Sequence, residues 1–97
     1  MSLPTRITPA ARSDIDSALE WYESIQLGSG DAFADDVRVT IAAVGQTPEQ
    51  FGRVNSTTRA APLADHKYIV YYRVEEDCVL ITAVMHARAN PKRLRRR

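Results

Sequence analysis

Residues 67–85 read KYIVYYRVEEDCVLITAVM, and this stretch decides the fold. The segments 67–74 and 78–85 are both dense in β-branched and aromatic residues, which favour strands. Three acidic residues at positions 75–77 form a short polar connection between them. The pattern therefore predicts a β-hairpin with one face packed on the rest of the chain and the other toward solvent.

Upstream of the hairpin, apolar residues recur at helical spacing in two stretches. Thr8-Pro9 is typical of a helix start, and the periodicity continues to residue 27 before a Gly-Ser-Gly sequence interrupts it. Ser29 or Asp31 is the expected N-cap of a second helix, which ends at Thr47-Pro48. The loop between the two helices is short, so they should pack as an antiparallel helical hairpin.

Two weaker segments complete the prediction. Residues 5–7 are a candidate first strand, and residues 54–62 are a weak strand ahead of the hairpin. The order is a short N-terminal strand, an antiparallel helical hairpin and a C-terminal antiparallel β-meander, which is an α+β arrangement. A chain of 97 residues forms one domain, 1–97, with a basic C-terminal tail at 88–97.

Composition excludes several classes of protein. Apolar residues make up 44% and charged residues 26%, as in ordinary globular chains. No apolar run approaches the ~20 residues of a membrane helix, and no secretory signal is visible, so we expect a cytoplasmic protein without a membrane partner. The single Cys78 excludes an internal disulfide, and no metal-ligand or phosphate-loop spacing occurs. We therefore expect neither metal nor cofactor.

Charge is distributed unevenly along the chain. Residues 1–51 hold three basic and eight acidic side chains, a net charge of −5, and residues 52–97 hold ten and four, a net charge of +6. The segment 88–97 carries six basic residues and no acidic one. This asymmetry favours an anionic partner, with nucleic acid first, although a solvated basic tail would look the same.

The second half also holds the groups that suit phosphodiester chemistry. Arg side chains bind phosphate and stabilise its developing charge, and a His can transfer the proton of a ribose hydroxyl. We expect the ends of neighbouring strands to bring these candidate catalytic groups together: Arg59, Arg73, His86 and Arg88. Four residues are candidates for nucleic-acid binding: Tyr68, Lys92, Arg93 and Arg95. By contrast, Asp35-Asp36 is interpreted as a solvated helix surface, and His66 as structural or idle.

Several short motifs, taken in order, resemble the RelE/ParE superfamily of toxins from type II toxin–antitoxin modules, often labelled plasmid stabilisation proteins. They run from the N-terminal helix to the tail: T-P-A-A-R-S-D-I at 8–15, W-Y-E at 21–23, Phe33 with the exit Thr47-Pro48, Arg59 with Y-I-V-Y-Y-R-V at 68–74, and V-M-H at 84–86 with Pro91. The likeness covers nearly the whole chain. Two positions depart from it, since Ala89 stands where the family often has Arg and Leu94 where it often has Trp.

The resemblance implies a small toxin neutralised by a cognate antitoxin encoded beside it. One branch cleaves mRNA on the ribosome, which would make this chain a metal-independent endoribonuclease using Arg59, Arg73 and His86, with Arg88 as a near match. The alternative is a ParE-type inhibitor that binds DNA gyrase without catalysis, or an inactive member that only binds its antitoxin. We expect the antitoxin to cover exposed apolar surface near Trp21, by docking a helix or adding a strand.

Overall fold

The computed structural model describes residues 2–89 and 91–96, with the side chains of Pro91, Arg95 and Arg96 left out. Strand β1 comes first and two helices follow it, before three further strands and a C-terminal 3-10 turn. The elements are β1 (Thr5–Ile7), α1 (Pro9–Ile25), α2 (Ser29–Gln46), β2 (Arg59–Pro62), β3 (Tyr68–Val74), β4 (Val79–His86) and the turn Pro91–Arg96. The predicted α+β order is therefore confirmed.

The four strands form one mixed sheet in the order β1-β4-β3-β2. Strands β2, β3 and β4 are antiparallel neighbours, as the meander requires, whereas β1 lies parallel to β4 through Thr5–Ile7. A β-bulge interrupts the pairing of β3 with β4 between Tyr71 and Tyr72. The weak strand expected at 54–62 is shorter than predicted, because only its last four residues pair with β3.

The two faces of the sheet are covered by different parts of the chain. Helices α1 and α2 pack on one face, where Val70, Tyr72 and Ile81 join the core around Phe33. On the other face Tyr71, Ala83 and Met85 form a second, smaller cluster, against which Ala89 and Leu94 of the C-terminal segment pack. Tyr68 and Tyr72 thus lie on the helix-covered face and Tyr71 on the other, and Leu94 has a packing role.

The junction of the two helices is built differently from the prediction. Gly28, with φ of 91°, is the N-cap of α2, and neither Ser29 nor Asp31 supplies a side-chain cap. Instead the carboxylate of Glu23, on α1, accepts the N–H groups of Gly28 at 3.0 and 3.1 Å and of Gly30 at 3.0 Å. The predicted caps are wrong because a neighbouring helix already satisfies the free N–H groups and their positive helix dipole.

Asp36 corrects a second expectation. Its side chain is only 5% exposed, not solvated, and it lies on α2 facing the loop between β2 and β3. Its oxygens accept the N–H groups of Ala64 at 3.2 Å and Asp65 at 2.9 Å, and lie 2.7 Å from Nδ1 of His66. Burial alone would raise the pKa of Asp36, but the hydrogen bonds from His66, Asp65 and Ala64 together hold it below its usual value. The structural role expected for His66 fits this contact.

Candidate functional site

A groove of about 850 Å³ runs between α1, the end of β4 and the C-terminal segment. One wall is a single face of α1, with residues at helical spacing, and its middle is lined by small side chains. The opposite wall is the sheet, and the C-terminal segment closes one end. The lining residues are Ala10, Asp14, Ser17, Ala18, Trp21, Tyr68, Val84, Met85, His86, Ala89, Lys92 and Arg93. We call this feature the α1–β4 groove.

The groove lies beside a strand edge that β1 does not reach. The pairing of β1 stops at Ile81, so the remainder of β4 has no strand on that side among the described residues. There the carboxylate of Asp14, from α1, accepts the N–H of Val84 at 3.0 Å. The helix thus covers part of this edge with a side chain, and β4 residues Val84, Met85 and His86 border the groove.

Trp21 stands at one end of the groove and is 55% exposed. Its ring packs edge-on against Tyr22, with centroids 5.0 Å apart, and Tyr22 stacks on the buried Phe33. The indole is therefore anchored on one side by the core while its other side is open. This agrees with the expected exposed apolar surface near Trp21.

His86 closes β4 and lies across from Tyr68. Its Nδ1 accepts the N–H of Arg88 at 3.1 Å, so in the neutral ring the proton resides on Nε2. The imidazole packs edge-on against the Tyr68 ring, with centroids 5.3 Å apart. Tyr68 also packs on Phe33, and burial raises the pKa of its hydroxyl. His86 can therefore offer a hydrogen bond to a partner in the groove, while the Tyr68 ring is largely occupied by the core.

Arg59 and Arg73 lie far from His86. Strand β3 places His86 beside Tyr68 at one end and Arg73 beside Leu80 at the other. Five residue steps at roughly 3.4 Å separate these rows by about 17 Å. Arg59 and Arg73 line one cleft together, but the expectation that they meet His86 is wrong, because consecutive strands of a meander run in opposite directions. The C-terminal ends of β3 and β4 therefore lie at opposite ends of the sheet.

The remaining candidate basic residues with described side chains lie at the His86 end of the sheet. Arg88 is exposed in the turn after β4, and Lys92 and Arg93 line the α1–β4 groove beside His86. The side chain of Arg95 lies outside the described residues. The sequence did not mark Asp14 as a groove residue, because its helical position alone does not reveal the strand edge that it contacts. Within the part of the chain described, no three His, Cys, Asp or Glu side chains are placed to hold a metal ion.

Neither helix of the described chain combines the length and apolar character needed to cross a membrane.

A family model for the "ParE toxin of type II toxin-antitoxin system, parDE" matches residues 5–91. No curated protein matches the sequence. Among solved structures, the chain is similar to one titled "Chromosomal ParDE TA system from P. aeruginosa", with a TM-score of 0.79 and 17% identity, over 88% of this chain and 96% of that one.

At such low identity the structural likeness concerns the fold, and it confirms the RelE/ParE-like architecture that the motifs indicated. The family model adds the branch, since it spans β1 to the start of the C-terminal turn and so includes all of the sheet and both helices. On that match, the chain belongs to the ParE toxin family of type II toxin–antitoxin systems.

Proposed function

We propose that this chain is the toxin of a toxin–antitoxin pair, that it inhibits DNA gyrase by binding, and that it has no catalysis of its own. Membership of the ParE family favours gyrase over the ribosome as the target. The observation that carries the proposal is the separation of the candidate catalytic groups, about 17 Å apart along β3.

The separation matters because metal-free RNA cleavage needs several groups at one phosphate. The proton-transfer group must lie within about 3 Å of the reacting hydroxyl, and the charge-stabilising donors must contact the same phosphate. Arg59 and Arg73 are too distant from His86 to meet that requirement together. A surface that only binds its target needs no such convergence, and this supports the non-catalytic mode of action.

A second candidate is mRNA cleavage with a different set of groups. His86, Lys92 and Arg93 line the same groove, so a proton-transfer group and two cations share one cavity there. Such a centre would depend on the C-terminal segment and not on Arg59 and Arg73. The antitoxin is expected to bind near Trp21, which lines this same groove. An antitoxin bound there would block the cleavage site and so neutralise the toxin.

The decisive experiment compares two reactions with the purified full chain. One is gyrase supercoiling of relaxed plasmid, and the other is cleavage of a defined mRNA on translating ribosomes. We expect supercoiling to be inhibited and the mRNA to remain intact, with His86→Ala as inhibitory as the wild type. In growing cells, pulse labelling should show DNA synthesis falling before protein synthesis after induction.

Cleavage of the mRNA that His86→Ala abolishes would overturn the gyrase proposal and establish the second candidate. Retained supercoiling together with intact mRNA would contradict both and identify a chain that only binds its antitoxin. Adding the antitoxin serves as the control, because it should restore whichever activity is lost.

We further propose that the cognate antitoxin, encoded adjacently, docks in the α1–β4 groove. The exposed Trp21 supplies an apolar anchor, and the small side chains of Ser17 and Ala18 allow close approach to α1. Lys92 and Arg93 at the end of the groove favour a partner segment that carries acidic residues. The uncovered part of β4 would suit an added strand, and the α1 wall a docked helix.

A further inference from the structure

A second cleft, at the far end of the sheet from His86, is lined by three arginines. It has a volume of about 410 Å³, within the range of small-molecule sites. Its lining comes from the loop before β2 and from the end of β3: Glu49, Arg53, Ser56, Thr57, Arg59, Arg73, Val74 and Glu75. We call this feature the arginine cleft. Three guanidinium groups against two carboxylates leave it with a net charge of +1.

Arg59 is held in place without being neutralised. Its Nη1 donates to the carbonyl oxygens of Phe51 at 2.6 Å and Glu49 at 3.3 Å. Carbonyl oxygens fix the orientation of the guanidinium but carry no net charge. Among the described residues neither Arg59 nor Arg53 has a carboxylate within ion-pair distance, so both keep their full positive charge toward the cleft.

Arg73 has a donor that the described protein leaves unused. Its Nε is buried and has no hydrogen-bond acceptor, while its Nη2 lies 3.6 Å from Oε1 of Glu75. A buried N–H without an acceptor is unfavourable, and an acceptor that reached it would relieve this cost. The neighbouring pairs of N–H groups on a guanidinium match two oxygens of a phosphate.

The wall opposite Arg73 is a short ordered hairpin. Arg53 and Arg59 form a bridge across its base, and Asn55 Oδ1 accepts the N–H groups of Thr57 and Thr58, both at 2.9 Å. Ser56 and Thr57 line the cleft, and the Thr57 hydroxyl itself donates to Asn55 Oδ1 at 3.2 Å. Hydroxyl groups beside guanidinium groups provide additional hydrogen bonds to the oxygens of an anion.

We propose that the arginine cleft binds a phosphate group, with Arg53, Arg59 and Arg73 as its cationic ligands and the Ser56 hydroxyl as an additional donor. Neither histidine lines the cleft. It lies apart from the α1–β4 groove and is independent of the gyrase and antitoxin proposals. In this arrangement Glu75 competes with the ligand for Arg73.

The test is a titration of the purified full chain, followed by the Arg Nε–Hε signals in nitrogen–proton NMR spectra. The ligands are inorganic phosphate, ATP and a ten-nucleotide single-stranded DNA, each against sodium chloride at equal ionic strength. We expect the Nε–Hε signal of Arg73 to shift with at least one phosphate ligand. Preference for ATP would identify a nucleotide as the source of the phosphate, and preference for DNA a nucleic-acid backbone.

Three variants make the result specific. Arg73→Met should weaken binding about tenfold, whereas Arg38→Met, which removes the same charge from the exposed surface of α2, should change it less than twofold. Glu75→Gln should strengthen binding about threefold, because it removes the competing carboxylate. A folding defect cannot mimic this gain.

The proposal is overturned if none of the three ligands shifts the cleft signals beyond the sodium chloride control. It is also overturned if Arg38→Met weakens binding as much as Arg73→Met, since binding would then follow overall charge. Weaker binding by Glu75→Gln would exclude the competition that the geometry indicates.

Discussion

Asp35 and Asp36 are adjacent on α2 and carry the same charge, yet their environments are opposite. Asp35 is 74% exposed beside Arg38, and Asp36 is buried against the loop between β2 and β3. We expect Asp36→Asn to lower the free energy of unfolding by about 1–3 kcal/mol. The amide has one acceptor oxygen in place of two, so at least one of the loop groups that donate to Asp36 loses its acceptor. Asp35→Asn should change it by less than about 0.5 kcal/mol.

The measurement is denaturant unfolding at neutral pH, with Asp35→Asn as the matched control. The pH dependence gives an independent check. Because the pKa of Asp36 is lowered in the folded state, its contribution is present above the ordinary carboxyl value near ~4 and is lost as the pH falls through the lower folded-state pKa. The difference in free energy of unfolding between the wild type and Asp36→Asn should therefore become smaller at acid pH. A gap that is constant down to pH 2 would contradict this account.

The side chain of Glu23, on α1, forms hydrogen bonds with the start of α2. Its carboxylate accepts the N–H groups of the N-cap Gly28 and of Gly30 in the first turn of α2, a role normally taken by the N-cap side chain. We expect Glu23→Ala to destabilise the protein by about 1 kcal/mol, in line with the loss of an N-cap. Glu20→Ala, on the exposed surface of the same helix, serves as the control and should be nearly neutral.

Thermal unfolding of both variants measures this effect, and local hydrogen exchange at the start of α2 should increase only in Glu23→Ala. Equal stability of the two variants would show that solvent satisfies the first turn of α2 equally well.

The elements themselves were predictable to different degrees. Both helices and the β3–β4 hairpin followed from periodicity, while β2 was overestimated because its extent depends on pairing with β3.

For the whole molecule, the α1–β4 groove combines a helix face, a strand edge and the C-terminal segment. If the antitoxin occupies it, a bulky side chain at Ser17 should weaken the complex at least tenfold, because Ser17 is an exposed groove residue. Ser13→Tyr places the same side chain on an exposed position of α1 outside the groove lining, and should change affinity less than twofold.

Calorimetry with the antitoxin encoded beside this chain measures both affinities for Ser17→Tyr and Ser13→Tyr. Unfolding midpoints equal to the wild type would show that neither variant disturbs the fold. Trp21→Ala should also weaken the complex, since it removes the exposed apolar anchor. Unchanged affinity in Ser17→Tyr would place the antitoxin elsewhere on the molecule.

The sequence by itself determined the order and type of the elements, the α+β class, and the likeness to the RelE/ParE superfamily, since these depend on periodicity and on motifs within one segment. The tertiary structure decided which residues meet. Antiparallel pairing sends Arg73 and His86 to opposite ends of the sheet, although each lies near the end of its strand. Burial of Asp36 and capping by Glu23 likewise required the helices to be placed, because a contact between distant segments has no signature within either one.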